Sequence, residues 1–347
     1  MPKILIIGAG AMGTAFAFPC IDNDNEVTIV GTHLEKEFIE NLKKNNNFHP
    51  GLDIQIDNRV KILKFEELNE SLMIGSDLIV VGVSSKGINW MGDLIIKYFK
   101  SKDLPKILLL TKGLNVYEQK YELLVDKLKR ILTKEKFKNI DISAVGGPCL
   151  AKGLANKVNS SVVIANEKIS SAKEISSFVK TNYYHVSTSK DVIGVEVSAA
   201  IKNIYSMAIG AAKGLSSQNI SKEKKEQNYL NTASALFNQS LKEMEIFVSH
   251  LKGNKDTVNG LAGLGDLHVS SSGGRNSKMG LYLGEGLTYS EAKKNKMPEV
   301  TVEGAELIKE IGNKVKEEFN SDKMPIMMAM INALMNNSKL IIDWEKF

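Results

Sequence analysis

Apolar residues in the first half of the chain fall in short unbroken runs, whereas in the second half they recur at helical spacing over much longer stretches. A run that is apolar at nearly every position reads as a strand buried on both faces. Lys3–Ile7, Val27–Gly31, Leu78–Val83, Ile107–Thr111, Ile142–Val145, Ser161–Ala165 and Tyr183–Val186 are such runs. Helical patterns separate them, among them Thr14 to about Asp22 and Leu34–Lys44, and Asn45-Asn46-Asn47 with Pro50-Gly51 marks a loop. Strands alternating with helices predict an α/β fold built on a doubly wound parallel sheet. From about Asp191 the spacing predicts helices only: Gly194–Gly214, Tyr229–Leu251, Thr288–Asn295, Gly304–Glu318 and Pro325–Asn336. The expected organisation is a sheet domain over 1–190 and an all-helical C-terminal domain over 191–347.

The first strand runs directly into Gly8-Ala9-Gly10-Ala11-Met12-Gly13. A glycine turn between a strand and an apolar helix suits a dinucleotide pyrophosphate. Gly8 permits the tight turn, Gly10 lets the backbone approach the phosphates, Gly13 allows close packing, and the helix N-terminus offers N–H groups to the anion. The sheet domain therefore reads as a Rossmann domain. A secretory signal is the competing reading of residues 1–20, but three glycines within six residues and a single lysine oppose it.

Composition narrows the class. At 43% apolar and 24% charged, 347 residues have ample chain for two packed domains. The net charge of +5 is a mild excess, densest over Lys127–Lys138. Leu128, Ile131 and Leu132 interrupt that stretch at helical spacing, so it reads as the solvated face of an amphipathic helix. With aromatics at 7%, nothing there suits nucleic acid. No run reaches the ~18 apolar residues of a membrane span. Cys20 and Cys149 give no disulfide framework, which fits a reducing compartment, and the cytoplasm is the expected location.

Two constellations carry candidate chemistry. Lys202 and Asn203 interrupt a helix apolar almost all round, from Val195 to Ala212. A buried lysine suits proton transfer, although periodicity allows equally that its stem snorkels to solvent. The second is Gly263-Leu264-Gly265-Asp266, an acid in a glycine-rich turn, followed by Ser270 and then Gly273-Gly274-Arg275-Asn276. Arginine binds phosphate oxygens as a fork, and a helix opening at Arg275 would add backbone donors; a solvated surface loop is the alternative. Thr111-Lys112-Gly113 and Gly146-Gly147-Pro148-Cys149 end sheet strands on the carboxyl side, where such sheets bind ligands. The five histidines show no ligand spacing, so no metal is expected.

Taken in order, GAGAMGTAFA, LLLTKGL, GGPCLAKGLA, DVIGVEVSAAIKNIYSMAIGAAKGL, GLAGLGDLHVSSSGGRNSKMG and VTVEGAEL resemble the NAD(P)-dependent sn-glycerol-3-phosphate dehydrogenases over nearly the whole chain. The resemblance implies interconversion of dihydroxyacetone phosphate and glycerol 3-phosphate. It makes Lys202 the general acid/base, with Lys112 and Asp266 as its catalytic companions. Lys112, Asn203, Ser270, Arg275 and Asn276 become substrate contacts. Gly8, Gly10, Ala11, Met12 and Gly13 become cofactor contacts, joined by Thr32 and His33 after the second strand. Ser84, Lys112, Ala151, Arg275 and Glu303 complete that set.

This chain departs from the family pattern in three places. Gly31-Thr32-His33 holds neither the arginine of bacterial members nor an immediate acid; Glu35 is the nearest acid and Lys36 the nearest lysine. Cys149 replaces a hydroxyl residue, and Gly274 replaces a serine before Arg275. An acid after the second strand holds a ribose 2′-hydroxyl and a base accommodates a 2′-phosphate. Either NAD or NADP is therefore expected, with a lean to NADP through His33 and Lys36. The expected partner is a small phosphorylated substrate, with no nucleic acid and no membrane span. Oligomeric state stays open, a homodimer being the candidate. The rival functions are a related β-hydroxyacid or polyol-phosphate dehydrogenase and a non-catalytic dinucleotide sensor.

Overall fold

The computed structural model describes residues 1–100, 103–217 and 229–347. The strands in chain order are β1 (Lys3–Ile7), β2 (Glu26–Val30), β3 (Phe48–His49), β4 (Ile54–Gln55), β5 (Lys61–Leu63) and β6 (Leu78–Val81). They continue with β7 (Lys106–Leu109), β8 (Leu114–Tyr117), β9 (Lys120–Leu123), β10 (Ile142–Gly146), β11 (Ser160–Ala165) and β12 (Tyr184–Ser189). The helices are α1 (Ala11–Asp22), α2 (Lys36–Lys44), α3 (Glu70–Ile74), α4 (Ile88–Phe99), α5 (Leu124–Lys134), α6 (Ala151–Ala155) and α7 (Ile169–Val179). After these come α8 (Val192–Ser217), α9 (Leu230–His250), α10 (Asp266–Ser272), α11 (Arg275–Gly284), α12 (Tyr289–Lys296), α13 (Glu303–Glu318) and α14 (Pro325–Met335).

Two compact units result: Met1–Lys112 with Leu123–Glu196, and Gly113–Glu122 with Val197–Phe347. The first is built on an eight-stranded sheet in the order β12-β11-β10-β7-β6-β1-β2-β5. β1 lies in parallel register between β2 and β6, with Ile6 opposite both Ile29 and Val80. All four residues of β6 are buried, as a strand covered on both faces requires. One pairing departs from the expected parallel sheet: β10 and β11 run antiparallel, Ala144 opposite Ala165. β5 extends the edge beyond β2, a strand the apolar pattern did not announce. α1 begins at Ala11, three residues earlier than the pattern placed it, and α2 begins at Lys36, leaving Leu34 exposed. α5 is the expected amphipathic helix, burying Leu124, Val125, Leu128 and Leu132.

Among its described residues the second unit is helical apart from the β8–β9 hairpin, which belongs to it although it precedes residue 190. The long helix α8 continues into this unit, and Val197, Ile201, Ile204, Met207 and Ala208 along it are fully buried. α11 packs on α8 backbone to backbone. A Cβ on Gly280 would lie 1.8 Å from the Met207 carbonyl oxygen, one on Gly284 2.2 Å from that of Ala211, and one on Gly210 2.3 Å from that of Ser277. Glycines four residues apart on one helix face thus set the helix spacing. α8 is apolar and long enough to cross a membrane by length and composition, and 94% of its most apolar 18-residue stretch is buried inside the protein.

Candidate active site

The dinucleotide loop in the first unit has the geometry its sequence implies. Gly8 adopts φ +112, and a Cβ there would lie 2.6 Å from the Gly82 carbonyl oxygen at the end of β6. A Cβ on Gly13 would lie 2.2 Å from the Gly8 carbonyl, so both positions admit only glycine. Thr14 donates its hydroxyl to the Ala9 carbonyl at 3.0 Å, which fixes the turn. α1 then opens at Ala11 with no side-chain cap and no acid in its first turn. Backbone donors at Ala11 and Met12 beside a glycine-lined approach fit a pyrophosphate.

Glu35 adds what the sequence only hinted at. Its Oε2 accepts hydrogen bonds from the Ala9 N–H at 3.1 Å and the Thr32 N–H at 2.7 Å, so a carboxylate bridges the glycine turn and the end of β2. His33, exposed, packs on Trp90 with ring centroids 5.0 Å apart, and Lys36 pairs with Glu66 at 3.7 Å. Thr111 donates to the Val83 carbonyl at 2.7 Å and so pins the chain from which Lys112 projects. Lys112 lines a small pocket with Met12, Val145, Gly146, Gly147 and Cys149. Ser84 sits in the turn after β6, and Ala151 opens α6.

In the second unit Lys202 does not snorkel: it is 6% exposed. Its Nζ donates to Asp266 Oδ1 at 2.6 Å and to Ser270 Oγ at 2.5 Å. The segment after Gly260 is helical rather than an open turn. A π-helical turn, Leu261–Gly265, leads into α10, which Asp266 begins. Asp266 and Ser270 stand four residues apart, one above the other on one face, and both reach the same ammonium. That i, i+4 spacing is the signal the sequence reading passed over. A buried ammonium without such partners would be strongly unfavourable.

Arg275 opens α11 after Gly274, whose φ of +99 suits glycine. Its guanidinium is half exposed and paired with the Glu303 carboxylate at the start of α13. Asn276, the next residue, points inward and is buried. Its Oδ1 accepts from the Gly304 N–H at 2.9 Å and its Nδ2 donates to Asn203 Oδ1 at 3.1 Å. Lys202, Asn203, Asp266, Ser270, Arg275, Asn276 and Glu303 therefore gather through direct contacts within this unit. Among the described residues no group of three His, Cys, Asp or Glu could hold a metal ion, and Cys20 is buried.

A Rossmann loop in one unit, with a buried lysine–carboxylate pair and an exposed arginine in the other, fits the class of nicotinamide-dependent dehydrogenases. Sequence models described as the N-terminus and C-terminus of NAD-dependent glycerol-3-phosphate dehydrogenase match residues 3–172 and 191–342. The chain belongs to that family. It is 31% identical over 83% of its length to the NADP(+)-dependent glycerol-3-phosphate dehydrogenase of Archaeoglobus fulgidus, covering 82% of that protein. The glycerol-3-phosphate dehydrogenase [NAD(P)+] of Lactobacillus helveticus is 30% identical, with 97% of this chain and 94% of the relative covered. The crystal structure of the Coxiella burnetii glycerol-3-phosphate dehydrogenase shares the fold, with a TM-score of 0.78 at 23% identity over 97% of this chain and 96% of that one.

Proposed function

We infer that Lys202 moves the proton when this chain performs its family's reaction, the interconversion of dihydroxyacetone phosphate and sn-glycerol 3-phosphate. The observation that carries this reading is the buried Lys202 Nζ held by Asp266 and Ser270. A nicotinamide, when bound, supplies the hydride at C2 or accepts it. Lys202 Nζ gives a proton to the C2 oxygen in the reducing direction and takes it from the hydroxyl in the oxidising direction. Asp266 balances the ammonium charge, and Ser270 holds Nζ in one orientation. Asn203 donates its amide N–H to the same substrate oxygen, and Lys112 is a further substrate contact. Arg275, with backbone donors at the start of α11, grips the phosphate and so supplies binding energy remote from the reacting carbon.

The glycine turn, the N-terminus of α1, Thr32, His33, Ser84, Ala151 and Glu303 are the proposed cofactor contacts. NAD and NADP both fit this family. His33, Lys36 and the NADP(+)-dependent archaeal relative support a lean to NADP, against which the Glu35 carboxylate works. Only two cysteines in 347 residues suit the reducing cytoplasm as its proposed location, and a homodimer is its proposed assembly. The test of the central role is steady-state turnover of Lys202→Met, with cofactor binding measured alongside.

A further inference from the structure

We propose that Lys293 is a positioning residue: its ammonium gathers the loop between α12 and α13 and so fixes where Glu303 stands. This rests on the reading of Glu303 as a cofactor contact. Lys293 lies in the last turn of α12, and its Nζ donates to the carbonyls of Met297 at 2.9 Å, Pro298 at 2.9 Å and Val300 at 2.7 Å. A lysine ammonium has three N–H donors and no acceptor. All three are therefore used, and all on one short stretch of backbone, 297–300. A lysine on a solvated helix face directs its ammonium to water; this one turns every donor onto the chain that follows its own helix. The negative end of the α12 dipole adds to the hold.

The helix that carries Lys293 is itself fixed. A capping box between Thr288 and Glu291 starts α12, and the Ser290 N–H donates to Asn337 Oδ1 at 2.9 Å. Along the loop Met297 and Val302 are buried, while Pro298, Glu299 and Thr301 between them are exposed. Apolar burial thus holds the two ends of this span, and the Lys293 ammonium holds its middle. The next residue, Glu303, opens α13 and pairs with the Arg275 guanidinium, and the Gly304 N–H donates to Asn276 Oδ1 at 2.9 Å. Release of the loop therefore loosens Glu303 and, through the ion pair, Arg275. Lys202, Asp266 and Ser270 stand on α8 and α10 and keep their mutual hydrogen bonds without this loop. Loss of the clamp should accordingly be felt in binding rather than in proton transfer.

Chemical rescue tests the clamp, with Kd for NADPH and NADH measured by nicotinamide fluorescence on the full chain at constant ionic strength. Lys293→Ala deletes three methylene groups and the ammonium, which propylammonium can supply. The variant should raise both Kd values by about tenfold, the scale of a lost hydrogen bond to a charged group. Its kcat at saturating substrate and cofactor should stay within about threefold of wild type. Propylammonium should recover most of the affinity, and tetramethylammonium, equally charged but without N–H groups, none of it. Lys293→Met keeps the stem and disturbs the fold least; it should weaken binding equally and ignore propylammonium. Adding Lys293→Ala to Glu303→Ala should weaken binding by no more than about twofold further. Both losses in full in that double variant would mean that Lys293 acts independently of Glu303, and would overturn the proposal. Equal rescue by the two amines, or wild-type Kd values for both Lys293 variants with Glu303→Ala impaired, would overturn the proposal alone. Wild-type Kd values for Glu303→Ala would overturn it together with the reading of Glu303 on which it stands.

Discussion

Asp266 Oδ1 lies 2.6 Å from Lys202 Nζ, and 3% and 7% of the two side chains reach solvent. Two opposite charges this deeply buried are mutually dependent, since the desolvation cost of each is offset in large part by the other. Asp266→Leu should therefore destabilise the enzyme by roughly 3–5 kcal/mol in urea unfolding. Adding Lys202→Met should restore most of that stability and none of the activity. Equal instability of the single and double variants would show that the two charges are not coupled.

The proposed grip of Arg275 on the substrate phosphate would separate this function from that of a dehydrogenase for unphosphorylated substrates. Losing hydrogen bonds to a charged group costs about 1.5–3 kcal/mol, so Arg275→Ala should lower kcat/KM for dihydroxyacetone phosphate by roughly 10- to 150-fold. The rate with dihydroxyacetone should scarcely change. Arg275→Lys should recover part of the loss, because an ammonium cannot reproduce the fork. An equal drop with both substrates would assign Arg275 to the cofactor or the fold.

Glu35 places a carboxylate between the Ala9 and Thr32 N–H groups, where a ribose 2′-substituent is read. Glu35→Ala should raise the ratio of kcat/KM for NADPH to that for NADH by at least about fivefold, equivalent to ~1 kcal/mol for one screened like charge. An unchanged ratio would mean that the carboxylate serves only the turn.

The strand–turn–helix opening was legible because buried parallel strands have no polar face and because the Gly8 and Gly13 positions exclude every side chain. The buried helix around Lys202 was legible for the same reason. β5 was not, since Lys61-Ile62-Leu63 is too short to show a period. Neither the antiparallel pairing of β10 with β11 nor the placement of the 113–122 hairpin in the second unit has a local signature. The hairpin packs on α13, and its Val116 N–H donates to Glu310, 194 positions further along the chain. The inward turn of Asn276 depends likewise on Gly304, which no spacing rule joins to it. Asp266 and Ser270 were different: their spacing was visible, but the segment read as a loop, where i, i+4 carries no meaning.

Glu196 gives a pH test independent of catalysis. It is 4% exposed and accepts the Val125 N–H at the start of α5. Burial pushes its carboxyl up to about 8, with the nearby Asp126 adding to the rise and the Leu124 and Val125 N–H groups and Lys129 opposing it. Between the ordinary carboxyl range and pH 8 the folded chain holds a proton that the unfolded chain has released. Stability therefore falls as pH rises through that window and levels off above it, by an amount on the order of a few kcal/mol. Glu196→Gln keeps an acceptor for Val125 and removes the titration. Urea unfolding at pH 5 and pH 8 should show a larger fall for the wild type than for Glu196→Gln; equal falls would contradict this account.

Lys202→Met measures the central claim most directly. Methionine preserves length and apolar stem while removing the only atom the mechanism asks to carry a proton. The account predicts that kcat for dihydroxyacetone phosphate reduction falls by at least ~10²-fold, the lower range for lost acid–base catalysis, while cofactor binding stays near the wild-type value. A variant that binds cofactor normally and keeps more than about half of the wild-type kcat would contradict it, for a loss that small amounts to under ~1 kcal/mol of transition-state stabilisation.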